Sequence, residues 1–466
     1  MIQALHAPPP VVTPHPFRYK PARMASRQGS LLFRWIADNP FPVAAAIYLL
    51  VNGIQLLIAD PAKSEWDQVF VYSAKVLLHG GDLYAPGINQ FQLNHPYTYP
   101  PFHALLGIPF TFLKHILSRL GWFIIQIIAL TMLWKLSWKI SGGGSLNRAS
   151  SNLIETVICI LGLAAGMRYI QGAFGHQQSD ILIDALLVAG CYAWQYRRDF
   201  LAATVWGFAA AFKGPPLIMA LYLAWRGRWL AAAWTIVLAV SLNLVPDLID
   251  RAPRDIWLSQ WYTRVVKPTS NQIGAWYVDV TINQSIAGAA HRFFTTGWYL
   301  GNHQFNITYH QNPLSDKALK HMVYALDAAL LLAAAWAMRR PFQRPRDIQT
   351  AGLECALMFI LMLLLSPMSH KTHFGILMLP AFFVARSAIV DRNRLSAACI
   401  LLCTIVIGLL DHFIFYPPLG DVFAWFGNVM WGAAALGIAC FGLLMQRKSP
   451  ATAMGDKGFE PLTSTL

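Results

Sequence analysis

The chain predicts an all-α, polytopic transmembrane fold with about twelve crossings. Three observations point there. Of its 466 residues, 56% are hydrophobic and only 12% are charged, about half the charged share of an ordinary globular domain. Apolar runs of about 16 to 20 residues recur along the chain. Lys and Arg gather in short segments beside those runs, as the positive-inside rule expects. A soluble protein of this length could not hide so much apolar surface. The net charge of +14 therefore reads as membrane orientation and not as nucleic-acid binding. Six scattered cysteines form neither a disulfide framework nor a metal-ligand spacing, and neither a metal nor a cofactor is expected.

Residues 1–40 begin polar and Pro-rich, with Arg18, Lys20, Arg23, Arg27 and Arg34. They read as a cytosolic tail, because a signal peptide would reach its apolar core sooner. A transmembrane domain is expected over 41–445, opening with a span at 41–59. The first outer loop, 60–119, carries Asp60-Pro61, Glu65-Trp66-Asp67, Gly80-Gly81-Asp82-Leu83-Tyr84 and Tyr97-Thr98-Tyr99-Pro100-Pro101. Its apolar stretch 101–113 is too short to cross and precedes Lys114, His115 and Arg119; a surface or re-entrant helix is expected there.

Spans at 120–138 and 153–168 flank an inner loop with Lys135, Lys139 and Arg148. An outer turn at 175–180 leads to a span at 181–196 and to inner Arg197 and Arg198. Residues 200–224 break at Lys213-Gly214-Pro215-Pro216, because two prolines remove amide donors and force a kink; two short helices should meet near the outer side. A span at 229–245 precedes a long outer segment, 246–320, rich in Trp and Tyr, which favour the headgroup level. Spans at 321–338, 349–365, 374–390, 395–411 and 423–445 follow, with Arg339, Arg340, Arg344, Arg346, Arg392, Arg394, Arg447 and Lys448 inside. Residues 446–466 form a second cytosolic tail. Threaded this way, the polar segments 60–100, 175–180, 213–216, 246–320 and 366–373 share the outer face, which suggests one cavity.

Several residues in these segments carry chemistry. Asp67 is a candidate general base or a helix cap. Asp60 fits a turn and Glu65 a solvated loop. Asp82 and Tyr84 either hold a sugar or shape the Gly-rich turn. Lys213 at the broken helix either binds phosphate or snorkels to an interface. His176, Gln177, Gln178 and Asp180 suit sugar hydroxyls, although capping explains Ser179 and Asp180 about as well. Asn283-Gln284-Ser285 is another polar insert, with Asn283 and Gln284 as candidate sugar- or acceptor-binding residues; it also formally matches a glycosylation sequon, but capping or packing fits better than a glycan there. His370, Lys371 and His373 could neutralise a phosphate leaving group; two histidines without a third ligand are weak evidence for a metal.

Taken together, these stretches resemble the bacterial glycosyltransferases of family 87, which share the GT-C membrane fold. The resemblance rests on Asp67 through Tyr84 followed by Tyr99-Pro100-Pro101; on Gly175-His176-Gln177-Gln178; on Ala211-Phe212-Lys213-Gly214-Pro215-Pro216; on Asn283-Gln284-Ser285 with Gly288; and on Ser366-Pro367-Met368-Ser369 followed by histidines. It departs at His176 and Gln178, where the family usually has Gln and Asn. It implies a polyprenyl-monophosphate sugar as donor, with mannose or arabinofuranose as the sugar. It also implies a lipid or glycan acceptor at the periplasmic face of a bacterial inner membrane, and inverting transfer with Asp67 as base. A transporter or lipid flippase is the rival reading; it predicts access from both faces and inverted repeats, and no clear repeat is present. A non-catalytic assembly protein is a second rival, one that would tolerate Asp67→Asn.

Overall fold

A computed structural model describes residues 40–58, 64–85, 97–144, 153–250, 255–271, 281–294, 314–345, 347–409 and 419–447. Asp60, Pro61, nearly all of both tails, and parts of the long segment 246–320 lie outside them. The described residues are helical throughout, apart from one isolated bridge between Asn283 and His370. Among the described residues, seven helices are long and apolar enough to cross a membrane: His115–Ile140, Leu153–His176, Trp229–Ile249, Asp316–Ala337, Ile348–Leu365, Lys371–Ile389 and Asn428–Gln446. Shorter apolar helices are Val43–Ile58, Asp199–Phe212, Pro215–Trp225 and Arg394–Ile407. The chain is an all-α, polytopic membrane protein.

Composition does not say which of these helices lie at the centre, but burial does. Ile348–Leu365 is 83% buried and Lys371–Ile389 is 78% buried, whereas Asp316–Ala337 is 17% buried. Helices apolar all round can face either lipid or protein; here the first two form the core and the third presents most of its surface outward.

The first loop is more ordered than its composition suggests. A π-helical turn, Trp66–Val71, runs into the helix Tyr72–Leu78. Trp66 anchors it: the indole stacks on Trp122 at 4.2 Å between ring centroids, and its Nε1 donates to Ser118 Oγ at 2.9 Å. A stacked pair of this kind contributes about 0.5–1.5 kcal/mol beyond its area burial. Pro101–Thr111 starts with proline at its first turn, where the missing N–H costs nothing. Its 11 residues reach only about 16 Å, too short to cross, and it packs on the first-loop helix. The contact is close: a Cβ on Gly107 would sit 2.4 Å from the Phe70 carbonyl oxygen. The next helix begins at His115, five residues before the expected span start of 120. Arg119 is thereby inside a helix and 3% exposed, where the sequence suggested a surface position.

The break at Lys213 is present. Asp199–Phe212 ends there with Lys213 extended (φ −154°, ψ 121°), and Pro215–Leu217 forms a short 3-10 turn into Ile218–Trp225.

Candidate functional site

Four helix junctions and the first loop converge on one cavity of about 640 Å³. It draws residues from all five polar segments: Glu65 and Tyr99, His176 and Gln178, Lys213 to Pro215, Trp261 to Ser270 with Ile282, and Ser366 to His373. The expectation of one cavity is therefore met. Ile218, Val265, Met362 and Leu365 supply an apolar wall.

Lys213 is the cationic centre. Its extended backbone follows from the helix break, which carries the side chain out of the apolar run. Nζ donates to Asp180 Oδ1 at 2.5 Å, contacts His373 Nε2 at 2.6 Å and lies 5.7 Å from the centroid of the Tyr99 ring. Thr372 Oγ1 donates to Asp180 Oδ2 at 2.7 Å, and His370 Nδ1 lies 2.8 Å from Thr372 Oγ1. Burial pushes His370 down to about 4, so it is neutral at pH 7 and Lys213 carries the charge. Lys371 does not line the cavity.

Ser179 stands at the N-cap of Asp180–Gln195, but neither it nor Asp180 caps that helix with its side chain. Ser179 makes no capping hydrogen bond; its Oγ lies 2.9 Å from His103 Nε2. Asp180 is the partner of Lys213, a role its place at a helix start did not reveal.

The junction between Leu153–His176 and Asp180–Gln195 sorts its three polar residues by backbone geometry. Gln177 takes a left-handed conformation, φ 55°. The Gln178 amide then reaches back to the Ala173 carbonyl at 2.9 Å, and the Gln177 amide to that of Phe174 at 3.1 Å. This is the helix-ending arrangement that glycine usually serves, and a glutamine there costs on the order of 1 kcal/mol. It is held because Gln177 Oε1 accepts from Ser64 Oγ at 2.6 Å and from Arg119 Nε at 2.9 Å, while Trp122 Nε1 donates to its carbonyl at 2.8 Å. Gln177 is thus a buried brace, and His176 and Gln178 face the cavity.

Gln178 Nε2 donates to Glu65 Oε1 at 2.7 Å. Its own Oε1 is buried without a hydrogen-bond partner. Glu65 lines the cavity beside it. Burial is the main influence on its carboxyl, which stands at about 7; Gln178 and Lys213 pull it down and Asp180 pushes it up.

Asp67, the expected base, does not line this cavity. It is 12% exposed, with Oδ2 2.9 Å from His115 Nε2 and 3.6 Å from Arg119 Nε. Two residues along the π-helical turn is enough to send the two acids to different neighbours. Asp82 also sits elsewhere: Arg264 Nη1 donates to its Oδ2 at 2.7 Å, and its Oδ1 accepts from the Tyr84 amide at 2.9 Å. Tyr84 is 1% exposed and donates to the Tyr99 carbonyl at 3.0 Å. Both shape the loop that presents Tyr99. Asn283 and Gln284 are fully buried. Asn283 Oδ1 accepts from the Ser369 amide at 3.1 Å and its Nδ2 donates to the Pro367 carbonyl at 3.1 Å; Gln284 Nε2 donates to the Thr281 and Ala424 carbonyls at 2.7 and 2.8 Å. They clamp the 366–370 turn from behind, and a buried Asn283 is no glycan acceptor. No cluster of three metal-ligating side chains occurs among the described residues.

A family model, Glycosyltransferase family 87, matches residues 97–367, more than half of the chain. The chain is 30% identical over 218 residues to the "Polyprenol-phosphate-mannose-dependent alpha-(1-2)-phosphatidylinositol pentamannoside mannosyltransferase" of Mycobacterium tuberculosis. That alignment covers 44% of this chain and 48% of the relative, so it spans about half the relative's length. A second M. tuberculosis protein, "Polyprenol-phosphate-mannose-dependent alpha-(1-2)-phosphatidylinositol mannoside mannosyltransferase", is 24% identical over 73% of this chain and 74% of its own. Among solved structures, the crystal structure of ArnT from Cupriavidus metallidurans bound to undecaprenyl phosphate shares 12% identity. It covers 88% of this chain and 78% of that one at a TM-score of 0.36, too low to carry an argument.

Proposed function

The chain belongs to glycosyltransferase family 87, and on that premise we propose that it transfers a sugar from a polyprenyl-monophosphate donor to a lipid or glycan acceptor. The observation that carries this reading is the cavity's polarity: Lys213 at one side, uncharged sugar-binding groups beside it, and an apolar wall of Ile218, Val265, Met362 and Leu365. A phosphate on a prenyl chain needs a compact cation and an apolar path together. Lys213 is already paired with Asp180, so a bound phosphate competes with that carboxylate. The same phosphate favours protonation of His370, which would supply a second positive charge only when donor is present. The departing phosphate is a good leaving group, and the cations balance its developing charge.

Mannose is the sugar favoured, because the M. tuberculosis relatives are named as polyprenol-phosphate-mannose-dependent; arabinofuranose is the alternative. The site would face the periplasm of a bacterial inner membrane. A count of about twelve crossings belongs to the same proposal: it takes the shorter apolar helices and Asp180–Gln195 beside the seven long ones, with Asp199–Phe212 and Pro215–Trp225 as two short limbs that meet at the Lys213 break.

The test presents purified protein with polyprenyl-phosphate mannose and polyprenyl-phosphate arabinofuranose in parallel, with a membrane lipid extract as acceptor. Labelled lipid from the mannose donor alone is expected. Label from the arabinofuranose donor alone would overturn the choice of sugar, and label from neither would contradict the proposed function.

A further inference from the structure

Two carboxylates of the first loop lie two residues apart and have opposite surroundings. Asp67 lies beside Arg119 and His115 and off the cavity. Glu65 lines the cavity and meets no cation at ion-pair distance among the described residues. One of its oxygens accepts from Gln178 Nε2, and the neighbouring Gln178 Oε1 is buried and unpartnered. Glu65 and Gln178 therefore stand together in the lining of the cavity that also holds Lys213. Resting on the transferase reading above, we infer that Glu65, and not Asp67, is the catalytic residue that takes the proton from the acceptor hydroxyl.

The chemistry balances without a further reactant. The acceptor hydroxyl, held against the Glu65 carboxylate, attacks the anomeric carbon. The new C–O bond forms as the bond from that carbon to the phosphate oxygen breaks. The electron pair of the breaking bond leaves on the polyprenyl phosphate, beside Lys213, and the hydroxyl proton goes to Glu65. Gln178 is a positioning residue: its Nε2 fixes the carboxylate, and Ser64 and Arg119 fix the neighbouring Gln177 that sets the junction. Asp67 acts behind this layer, next to the Arg119 that braces Gln177.

The surroundings of Glu65 also set a pH profile. The titratable groups that share the site are Asp180, His176, Lys213, His370 and His373, with Asp67 on its own segment. Burial holds the Glu65 carboxyl up at about 7, and a base with its pKa near the working pH is the efficient one. Since the ionised form accepts the proton, kcat rises with pH through about 7.

The experiment compares wild type, Glu65→Gln and Asp67→Asn, full-length in detergent, with polyprenyl-phosphate mannose and a membrane lipid extract. Each variant's thermal unfolding and donor affinity are measured alongside. Glu65→Gln is expected to lower kcat by about a hundredfold or more, to keep donor affinity within about threefold of wild type, and to lose the rise in kcat near neutral pH. Asp67→Asn is expected to fall less and to keep that rise. A smaller loss in Glu65→Gln, or an equal or larger loss in folded Asp67→Asn, overturns the inference while leaving the transferase intact. No transfer by wild type contradicts the proposed function and removes the ground for the inference.

Discussion

Lys213 lies between two anions, one resident and one expected. Asp180 holds it in the free protein at 2.5 Å; a donor phosphate must draw it away or share it. Lys213→Ala is expected to cut transfer on the order of a hundredfold, the usual cost of removing one preorganised donor from a charge-stabilising site. The loss should appear in donor affinity as well as kcat, read from initial rates over a donor series. The same substitution leaves Asp180 buried beside neutral neighbours, so Asp180→Asn combined with Lys213→Ala should restore folded stability without restoring transfer. Lys213 was legible in the sequence because two prolines beside a lysine in an apolar run have few uses. Glu65 and Asp180 were not. An acid near a loop or at a helix start is chemically ordinary until its neighbours are known, and here those neighbours, Gln178 and Lys213, are 113 and 33 residues away.

At the scale of elements, the turn that carries His370 is held from behind by the segment entering Ile286–Phe294. Asn283 bonds Pro367 and Ser369, and its Oδ1 also accepts from Ser285 Oγ at 2.9 Å. Gly288 allows this approach: a Cβ there would sit 2.5 Å from Asn283 Cγ. Asn283→Ala removes these bonds and is expected to cost about 2–3 kcal/mol, at about 1 kcal/mol per hydrogen bond lost. Thermal unfolding in detergent measures it, and transfer should fall through the loosened turn while donor specificity is kept. Gly288→Ala is expected to act in the same direction by about 1–3 kcal/mol, as overpacking does. The sequence left the 283–285 insert open between ligand contact and packing, because a buried clamp and a ligand contact use the same amide chemistry. The π-helical turn at Trp66–Val71 was not foreseeable from apolar periodicity, since one extra residue per turn rotates every later side chain.

Across the whole molecule, the apolar runs located most helices, and the helices' own composition could not rank them by burial. Lys371–Ile389 and Asp316–Ala337 have the same mean hydropathy, yet the first lies in the core with Ile348–Leu365 and the second at the periphery. A polar contact in the interior marks Ile348–Leu365: Glu354, 1% exposed, accepts from Arg226 Nε at 3.0 Å and from Tyr222 OH at 2.9 Å. Trp194 Nε1 in turn donates to that phenol at 3.0 Å, and Arg226 Nη1 donates to the Arg340 carbonyl at 3.1 Å. This network ties four segments of the bundle together, and none of its residues lines the cavity. Glu354→Ala strands a buried guanidinium and is expected to cost about 3–5 kcal/mol, seen as earlier thermal unfolding. Activity per folded molecule should stay close to wild type, which separates this variant from those at the cavity.

The most direct test of the central claim is single-turnover transfer of labelled mannose from polyprenyl monophosphate by purified wild type and by Lys213→Ala, with donor binding measured on the same preparations. The account predicts labelled lipid from wild type, and loss of both donor binding and label in the folded variant. Equal transfer by the two proteins, or donor binding by wild type with no label in any lipid acceptor, would contradict it.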